Sequence, residues 1–316
     1  MAEALRDVYG KSLAAHAAAN EKVVVLDADL SNCSKTCLAK DALNGRMFNV
    51  GIAEANMIAM GAGFASCGFI PFVNTFATLA ASMCSLAMKA LIGYSHLNVR
   101  LVGVNNGLCG GYDGATHHAI DDINIMRAVP GLLIASPSDA VMTDWMVKEL
   151  CSDRIGPAYI SISRNGCESI YAEGETFEFG RAKRLSFGHD AAIFAWGLSV
   201  RRALDAAELL KAEGIGVSVY DMFTIKPLDR RAVLEAAAET GAIVTVDEHS
   251  VIGGLGSAVL EVIAEEGLAL PVKRVGIQDC YTESGSYNEL IKRFGLDAGS
   301  IAQAARDVIE RKHANG

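Results

Sequence analysis

The sequence predicts an α/β protein of two consecutive α/β domains, each with a mostly parallel sheet covered by helices. Three observations predict it. The chain has 316 residues, about twice a ~150-residue domain, so two cores are expected. Short, continuous apolar runs alternate with helical periods along most of the chain, as strands buried on both faces require. The alternation lapses once, from about Asn165 to Gly188, into polar, glycine-containing sequence suited to an interdomain linker or a short hairpin. The expected boundaries are 1–174 for the first domain, 175–188 for the linker and 189–316 for the second domain.

In order, periodicity predicts a helix near Glu3 to Ala19 and a strand over Val23 to Asp29 (VVVLDAD), followed by the strand-like Phe48-Asn49-Val50-Gly51. A helix over Ala53 to Ser66, a strand over Phe69 to Asn74, a helix from about Thr78 to Ile92 and a strand over Val99 to Asn105 come next. After a long glycine-rich loop come LLIAS near Leu132, a helix starting at the Ser136-Pro137-Ser138 cap signal, and AYISIS near Tyr159. The second series runs AAIFAW from Ala191, a helix over Val200 to Glu213, GVSVYD, a helix after the Lys226-Pro227-Leu228 turn, AIVTVDEH, a helix after GGLGS, and PVKRVG. Helices near Tyr287 and Ile301 close it.

Hydrophobic residues make up 51% and charged residues 21%, too much apolar side chain for a disordered protein. With 37 acidic against 28 basic residues the net charge is −9, which repels phosphate backbones and anionic lipid. Glu3, Arg6, Asp7 and Lys11 interrupt the apolar stretch a signal peptide needs, so a cytoplasmic location is expected. Eight cysteines form no C-x-x-C pair, and most read as buried thiols. Ala55 to Met88 carries no charge, longer than the ~20 residues of a spanning helix. Gly61, Gly63, Gly68 and Pro71 break it, and Asn56, Ser66, Asn74 and Thr75 would need polar partners in lipid. Helix, strand and helix, buried on every side, is the expectation, and it suggests an interface or a cofactor.

Gly61-Ala62-Gly63-Phe64-Ala65-Ser66 imitates a dinucleotide fingerprint but lies inside a helical pattern, where close packing explains it better. Gly253-Gly254-Leu255-Gly256-Ser257 sits between strand and helix and is either an anion site at a helix N-terminus or a plain tight turn. The loop Asn105 to His118 follows a buried strand and carries Asp113, His117 and His118, so it is a site candidate, with a solvated Asp-Gly turn as the alternative. Adjacent His117 and His118 point to opposite sides of an extended loop and are poor joint metal ligands. Glu54 is the last charge before the uncharged stretch. At a helix N-terminus it serves the dipole; in a dry crevice it would also serve as a general acid or base.

The ordered set Val50 to Met57 (VGIAEANM), Asn74-Thr75-Phe76, Asp113-Gly114-Ala115-Thr116-His117 and Ser163-Arg164 closely resembles the C-terminal half of transketolase. Ile225 to Asp229, Val246 to His249 and Gly253 to Ser257 resemble that family's terminal domain, so the likeness covers essentially the whole chain. The resemblance implies a pyrimidine-binding domain and a C-terminal domain of a thiamine-diphosphate enzyme. It implies a partner subunit with the diphosphate-binding domain, since no Gly-Asp-Gly occurs here, and that partner would hold Mg²⁺ and the diphosphate in an α2β2 assembly.

By the same resemblance, Glu54 would share a proton with N1′ of the cofactor's aminopyrimidine, with Phe76, Leu79 and Asp29 beside the cofactor. His117 and Asp113 would meet the substrate hydroxyls, His117 also in a catalytic role, while Arg6 and Arg164 would grip the distal anion of the ketose. Leu79 stands where an aromatic residue usually stacks on the pyrimidine, which weakens that contact but keeps it apolar; Asn105 at a usual phosphate-binding histidine and Cys33 at a usual serine leave open whether that anion is phosphate or sulfonate. A ketol transfer from ketose to aldose is the implied reaction. The rivals are a 1-deoxyxylulose-5-phosphate synthase, the β subunit of a 2-oxoacid dehydrogenase and a non-catalytic subunit of the same fold.

Overall fold

Apolar runs with no polar face can only form strands shielded on both sides, and the chain builds two such sheets. The computed structural model describes residues 3–315. The first sheet draws on β1 (Val23–Asp27), β2 (Met47–Asn49), β3 (Ile70–Phe76), β4 (Arg100–Val104), β5 (Leu133–Ala135) and β6 (Ala158–Ile162). The second draws on β7 (Lys183–Arg184), β8 (Ala191–Ala195), β9 (Val217–Asp221), β11 (Ile243–Ser250) and β12 (Val272–Ile277). Between β9 and β11 lies β10 (Thr224–Lys226), which returns to the first sheet.

The strand orders are β10-β5-β6-β4-β3-β1-β2 and β12-β11-β8-β9-β7. All pairings are parallel except β10 with β5 and β7 with β9, both at sheet edges. Every residue of β1, β4, β6, β8 and β9 is buried, as the predicted two-sided cover requires. The α/β expectation is therefore met in both halves. The stretch expected to be a linker is not featureless, because Lys183–Arg184 pairs with β9 and Phe177 and Phe179 pack on Trp145 at 5.1 and 5.0 Å.

Local differences have local causes. The helix Ala140–Leu150 is capped by Asp139, whose carboxylate accepts the Met142 amide at 2.8 Å, one residue past the predicted Ser136-Pro137-Ser138 signal. The expected helix from Thr78 to Ile92 is broken into Ala77–Ser82, Ser85–Ala87 and a wide turn at Met88–Gly93. Ser82 donates its hydroxyl back to the Thr78 carbonyl at 2.6 Å, a bond that bends helices. Gly61, in the helix Glu54–Ser66, packs so closely on β3 that a Cβ there would stand 2.7 Å from Val73 Cγ2. The helical-packing explanation of that glycine is correct.

Burial on every side of the uncharged stretch is not what the chain forms. Ala55, Asn56, Ala59 and Gly63 leave one face of the helix Glu54–Ser66 open, and Met83 and Leu86 are 58% and 76% exposed. These side chains find no cover among the described residues of their own chain. Among the described residues, no helix is long and apolar enough to cross a membrane.

The two sheets are joined by buried polar groups. Asp139 accepts the Ile170 and Tyr171 amides, while Ser138 and Tyr171 donate their hydroxyls to Asp221 at the end of β9. Burial pushes the Asp221 carboxyl from 3.8 up to about 7. The folded state then keeps a proton that the unfolded chain releases near pH 4, so this group's contribution to stability falls as pH rises through that window and levels off above about 7. Asp221→Asn removes that slope. Urea midpoints at pH 5, 6, 7 and 8 should show a wild-type-minus-variant difference that declines to about pH 7 and then flattens; a constant difference would contradict the assignment.

Candidate active site

Parallel strands all end at the same edge of their sheet, and ligands of open α/β sheets bind beyond that carboxyl edge. The predicted site residues lie there. Asp29 and Cys33 follow β1, Glu54 follows β2, Phe76 and Leu79 lie at and beyond the end of β3, Asn105 follows β4 and Arg164 follows β6. Asp113 and His117 lie in the loop after β4. Arg6 reaches the same edge from the first helix, Leu5–Ala17, because the Leu5 amide bonds the Asn165 carbonyl at 3.0 Å. Its Nη1 donates to the Cys33 carbonyl at 3.2 Å, and its buried Nε has no partner among the described residues.

The fold brings several of these residues into contact. Arg164 stands 3.6 Å from the Asp113 carboxylate, and the Phe76 and His117 rings meet edge to face with centroids 6.0 Å apart. His117 Nδ1 bonds the Thr116 hydroxyl at 3.0 Å. Asn49 donates its amide to Asp29 at 2.9 Å, which ties the ends of β1 and β2 together. No hydrogen bond or ion pair joins Glu54, Leu79 or Asn105 to the others among the described residues. Asn105 has a positive φ of 62° and a buried side-chain oxygen without a partner.

Asp29 is not at the end of its strand. The strand ends at Asp27, which is fully buried and accepts the Leu30 amide and the Ser34 and Thr36 hydroxyls. Burial raises its carboxyl above the usual range, against the pull of those hydrogen bonds. Asp27 thus organises the loop that carries Asp29 and Cys33, a role invisible in the run VVVLDAD, where both carboxylates look alike.

Glu54 opens the helix Glu54–Ser66 and is only 4% exposed. Its neighbourhood is apolar: Met57 and Ile58 are buried beside it on the helix. Cys84 is close enough to feel it, since burial first and the Glu54 charge second push that thiol up to about 12. Just outside, Ile52 is 81% exposed. Glu54 thus stands at a helix N-terminus with an apolar wall beside it.

The fold decides two further expectations. Of its two readings, GGLGS is the plain tight turn, because the Asp247 carboxylate already accepts the Leu255 amide at 3.1 Å and occupies the helix N-terminus. Only Cys84, Cys109 and Cys151 of the eight cysteines are buried, while Cys67 and Cys280 are exposed. Sequence reading also missed the second domain's hold on the glycine-rich loop. Glu248 faces the Leu108 amide at 3.5 Å, and Thr282 bonds His118 at 2.7 Å. The recurrence of acidic and histidine residues in Val246 to His249 was the available signal.

Residues 2–168 match the family model of the transketolase pyrimidine binding domain, and residues 180–301 match that of the transketolase C-terminal domain. This chain belongs to the transketolase family. It is 39% identical over 309 residues to the 6-deoxy-6-sulfo-D-fructose transketolase subunit SqwH of Clostridium sp. (strain MSTE9), covering 98% of this chain and 95% of that protein. It is equally identical, over 310 residues, to a putative transketolase C-terminal section of Methanocaldococcus jannaschii, covering 98% and 97%. Human transketolase is 36% identical over 316 residues, and there the match spans 49% of the relative. Among solved structures, a split gene transketolase determined as an inactive beta4 tetramer superposes with a TM-score of 0.88 at 40% identity, covering 99% of this chain and all of that one.

In this transketolase-family chain the Asp113–Arg164 pair is about two-fifths exposed on both sides. Such a pair contributes at most about 1 kcal/mol, so it opens readily for a ligand. Asp113→Asn should therefore shift the free energy of urea unfolding by less than about 1 kcal/mol. A larger loss would make the pair a structural element.

Proposed function

We propose that this chain is the pyrimidine-side subunit of a two-chain transketolase. It moves a two-carbon ketol unit from an anionic ketose to an aldose, with a partner subunit that carries the diphosphate-binding domain. The observation that carries the reading is a buried carboxyl, Glu54, at a helix N-terminus and next to an open, uncharged face of its own chain. A partner surface laid on that face would leave Glu54 in a dry crevice between chains. Ile52, Met83, Leu86 and Tyr94, the last 86% exposed, are the apolar side chains such a surface would cover. An α2β2 assembly gives each such face a partner.

Bound thiamine diphosphate supplies a carbon nucleophile and an electron sink for the two-carbon unit. The residues present suit the pyrimidine end of that cofactor. Glu54 offers a carboxyl for the ring nitrogen N1′, while half-buried Phe76 and Leu79 offer apolar surface to the ring. Asp29, exposed at the same edge, lies where cofactor and partner would meet. Among the described residues no three His, Cys, Asp or Glu side chains come together to hold a metal ion, and the hard oxygen ligands of Mg²⁺ are assigned to the partner.

Toward the substrate, Arg6 and Arg164 present guanidinium groups to a distal anion. The unpaired Nε of Arg6 and the loosely held Arg164 leave donors for it. His117 and Asp113 face the sugar hydroxyls, with His117 also moving a proton there, and Cys33 and Asn105 flank the anion. Two relatives frame its identity. One is named for a sulfonated ketose, and the other, from Phocaeicola vulgatus, is named as one of the subunits of an apulose-4-phosphate transketolase and is 37% identical over 271 residues.

Two measurements test the reading in the complex reconstituted with its partner. Glu54→Gln should lower kcat for ketol transfer by about 10²–10⁴, the range for a lost general acid or base, and leave assembly intact by size-exclusion chromatography. Unchanged turnover would remove Glu54 from the chemistry. Arg164→Ala should raise KM for phosphorylated and sulfonated ketoses about tenfold or more, the loss of a charge-assisted hydrogen bond, and KM values unchanged from wild type on both would remove its anion role. Pyruvate decarboxylation in place of ketol transfer would favour the rival 2-oxoacid and deoxyxylulose readings.

A further inference from the structure

The glycine-rich loop after β4 carries the two groups read above as facing substrate hydroxyls, and besides Arg164 and Phe76 of the first domain its tip is held by groups of the other domain. At its neck the loop closes on itself, with Gly107 and Ala119 exchanging amide hydrogen bonds of 3.2 and 3.1 Å. Its tip rests on the segment that follows β12. There the Gly285 amide bonds the Gly111 carbonyl at 3.4 Å, and Ser284 packs on Gly114 so tightly that a Cβ would meet its hydroxyl at 2.6 Å.

His118 lies between loop and segment and is 2% exposed. Its Nε2 lies 3.1 Å from the Gly111 carbonyl, which only accepts, so Nε2 carries the proton. Nδ1 is then bare and accepts the hydroxyl of Thr282 at 2.7 Å. Both ring nitrogens are thus used, one by the loop's own backbone and one by the second domain. Burial holds the imidazole below its ordinary pKa and so keeps this tautomer neutral. His117, one residue earlier, points the other way, toward Phe76.

We propose that His118 and Thr282 are a positioning pair through which the second domain sets the glycine-rich loop, and with it Asp113 and His117, for substrate. The pair touches no reacting atom. It fixes the backbone between Gly111 and His118, and a loop freed by about one hydrogen bond would present its polar groups less often in the binding geometry. The inference rests on the reading of His117 and Asp113 given above.

The test uses the full chain for exchange and the reconstituted complex for kinetics. Thr282→Val keeps the shape and removes the hydroxyl; Thr282→Ser restores it; His118→Phe keeps a ring and removes both contacts. Amide hydrogen exchange of the full chain, read by mass spectrometry over Gly110 to His117, should quicken about tenfold in Thr282→Val and His118→Phe and return to within about twofold in Thr282→Ser, the scale of one hydrogen bond. In the complex, kcat/KM for the ketose should fall about tenfold in Thr282→Val, and Thr282→Ser should recover it. Should Thr282→Val fail to fold, His118→Phe carries the same comparison.

Wild-type exchange in the loop of Thr282→Val or His118→Phe overturns the proposal, as does quickened exchange spread over the whole chain or a Thr282→Ser variant that fails to recover. Loop-confined exchange in a preparation whose wild type shows no ketol transfer supports the positioning pair and overturns the functional reading instead.

Discussion

Parallel pairing is the constraint from which the rest of the molecule follows. Strands that all run the same way must all finish at one edge, and each crossover must carry the chain back before the next strand begins. In the order β6-β4-β3-β1-β2, that edge receives Arg164, Asn105, Phe76, Asp29 and Glu54 from segments scattered over more than a hundred residues of sequence. The antiparallel strands β7 and β10 do not disturb this convergence, because both lie at the rims.

A second constraint is dielectric. One carboxyl is placed where water is scarce, and the uncharged stretch after it supplies the apolar wall. Within a single chain that wall is half open, with Ile52, two residues ahead of the buried Glu54, and Leu86 both exposed. Exposed apolar side chains on this scale need cover. A surface laid on that face would at the same time close the crevice around Glu54, so covering the face and drying the carboxyl are one event.

Much of this was legible in the sequence, and what was not has a physical reason in each case. Continuous apolar runs announced the strands, and the isolation of Glu54 before 34 uncharged residues marked it as singular. β10 was hidden, because three residues ahead of Pro227 look like a turn and their partner, β5, lies in the other domain. The Ser136-Pro137-Ser138 signal misplaced a cap by one residue because Asp139, equally able to cap, follows directly. The GGLGS turn was open between an anion site and a plain turn, and only the fold reveals that Asp247 fills that helix N-terminus from eight residues upstream. Composition announced an apolar face between Ala55 and Met88 but could not say which chain would cover it.

The same logic explains why the second domain is more than an appendage. Its sheet is also mostly parallel and so has a carboxyl edge of its own, formed by the ends of β8, β9, β11 and β12. Trp196 beyond β8, Glu248 in β11 and Thr282 beyond β12 project from that edge, and Asp221 closes β9. Glu248 and Thr282 meet the glycine-rich loop of the first sheet, and Asp221 takes the hydroxyl of Ser138 from the first domain. A cavity of about 20 Å³, lined by Gly107, Trp196 and Glu248 among others, lies between the two edges. Two edges of like direction thus face each other across one loop. The loop is held from both sides, by Arg164 and Phe76 of the first domain and by Thr282 and Ser284 of the second.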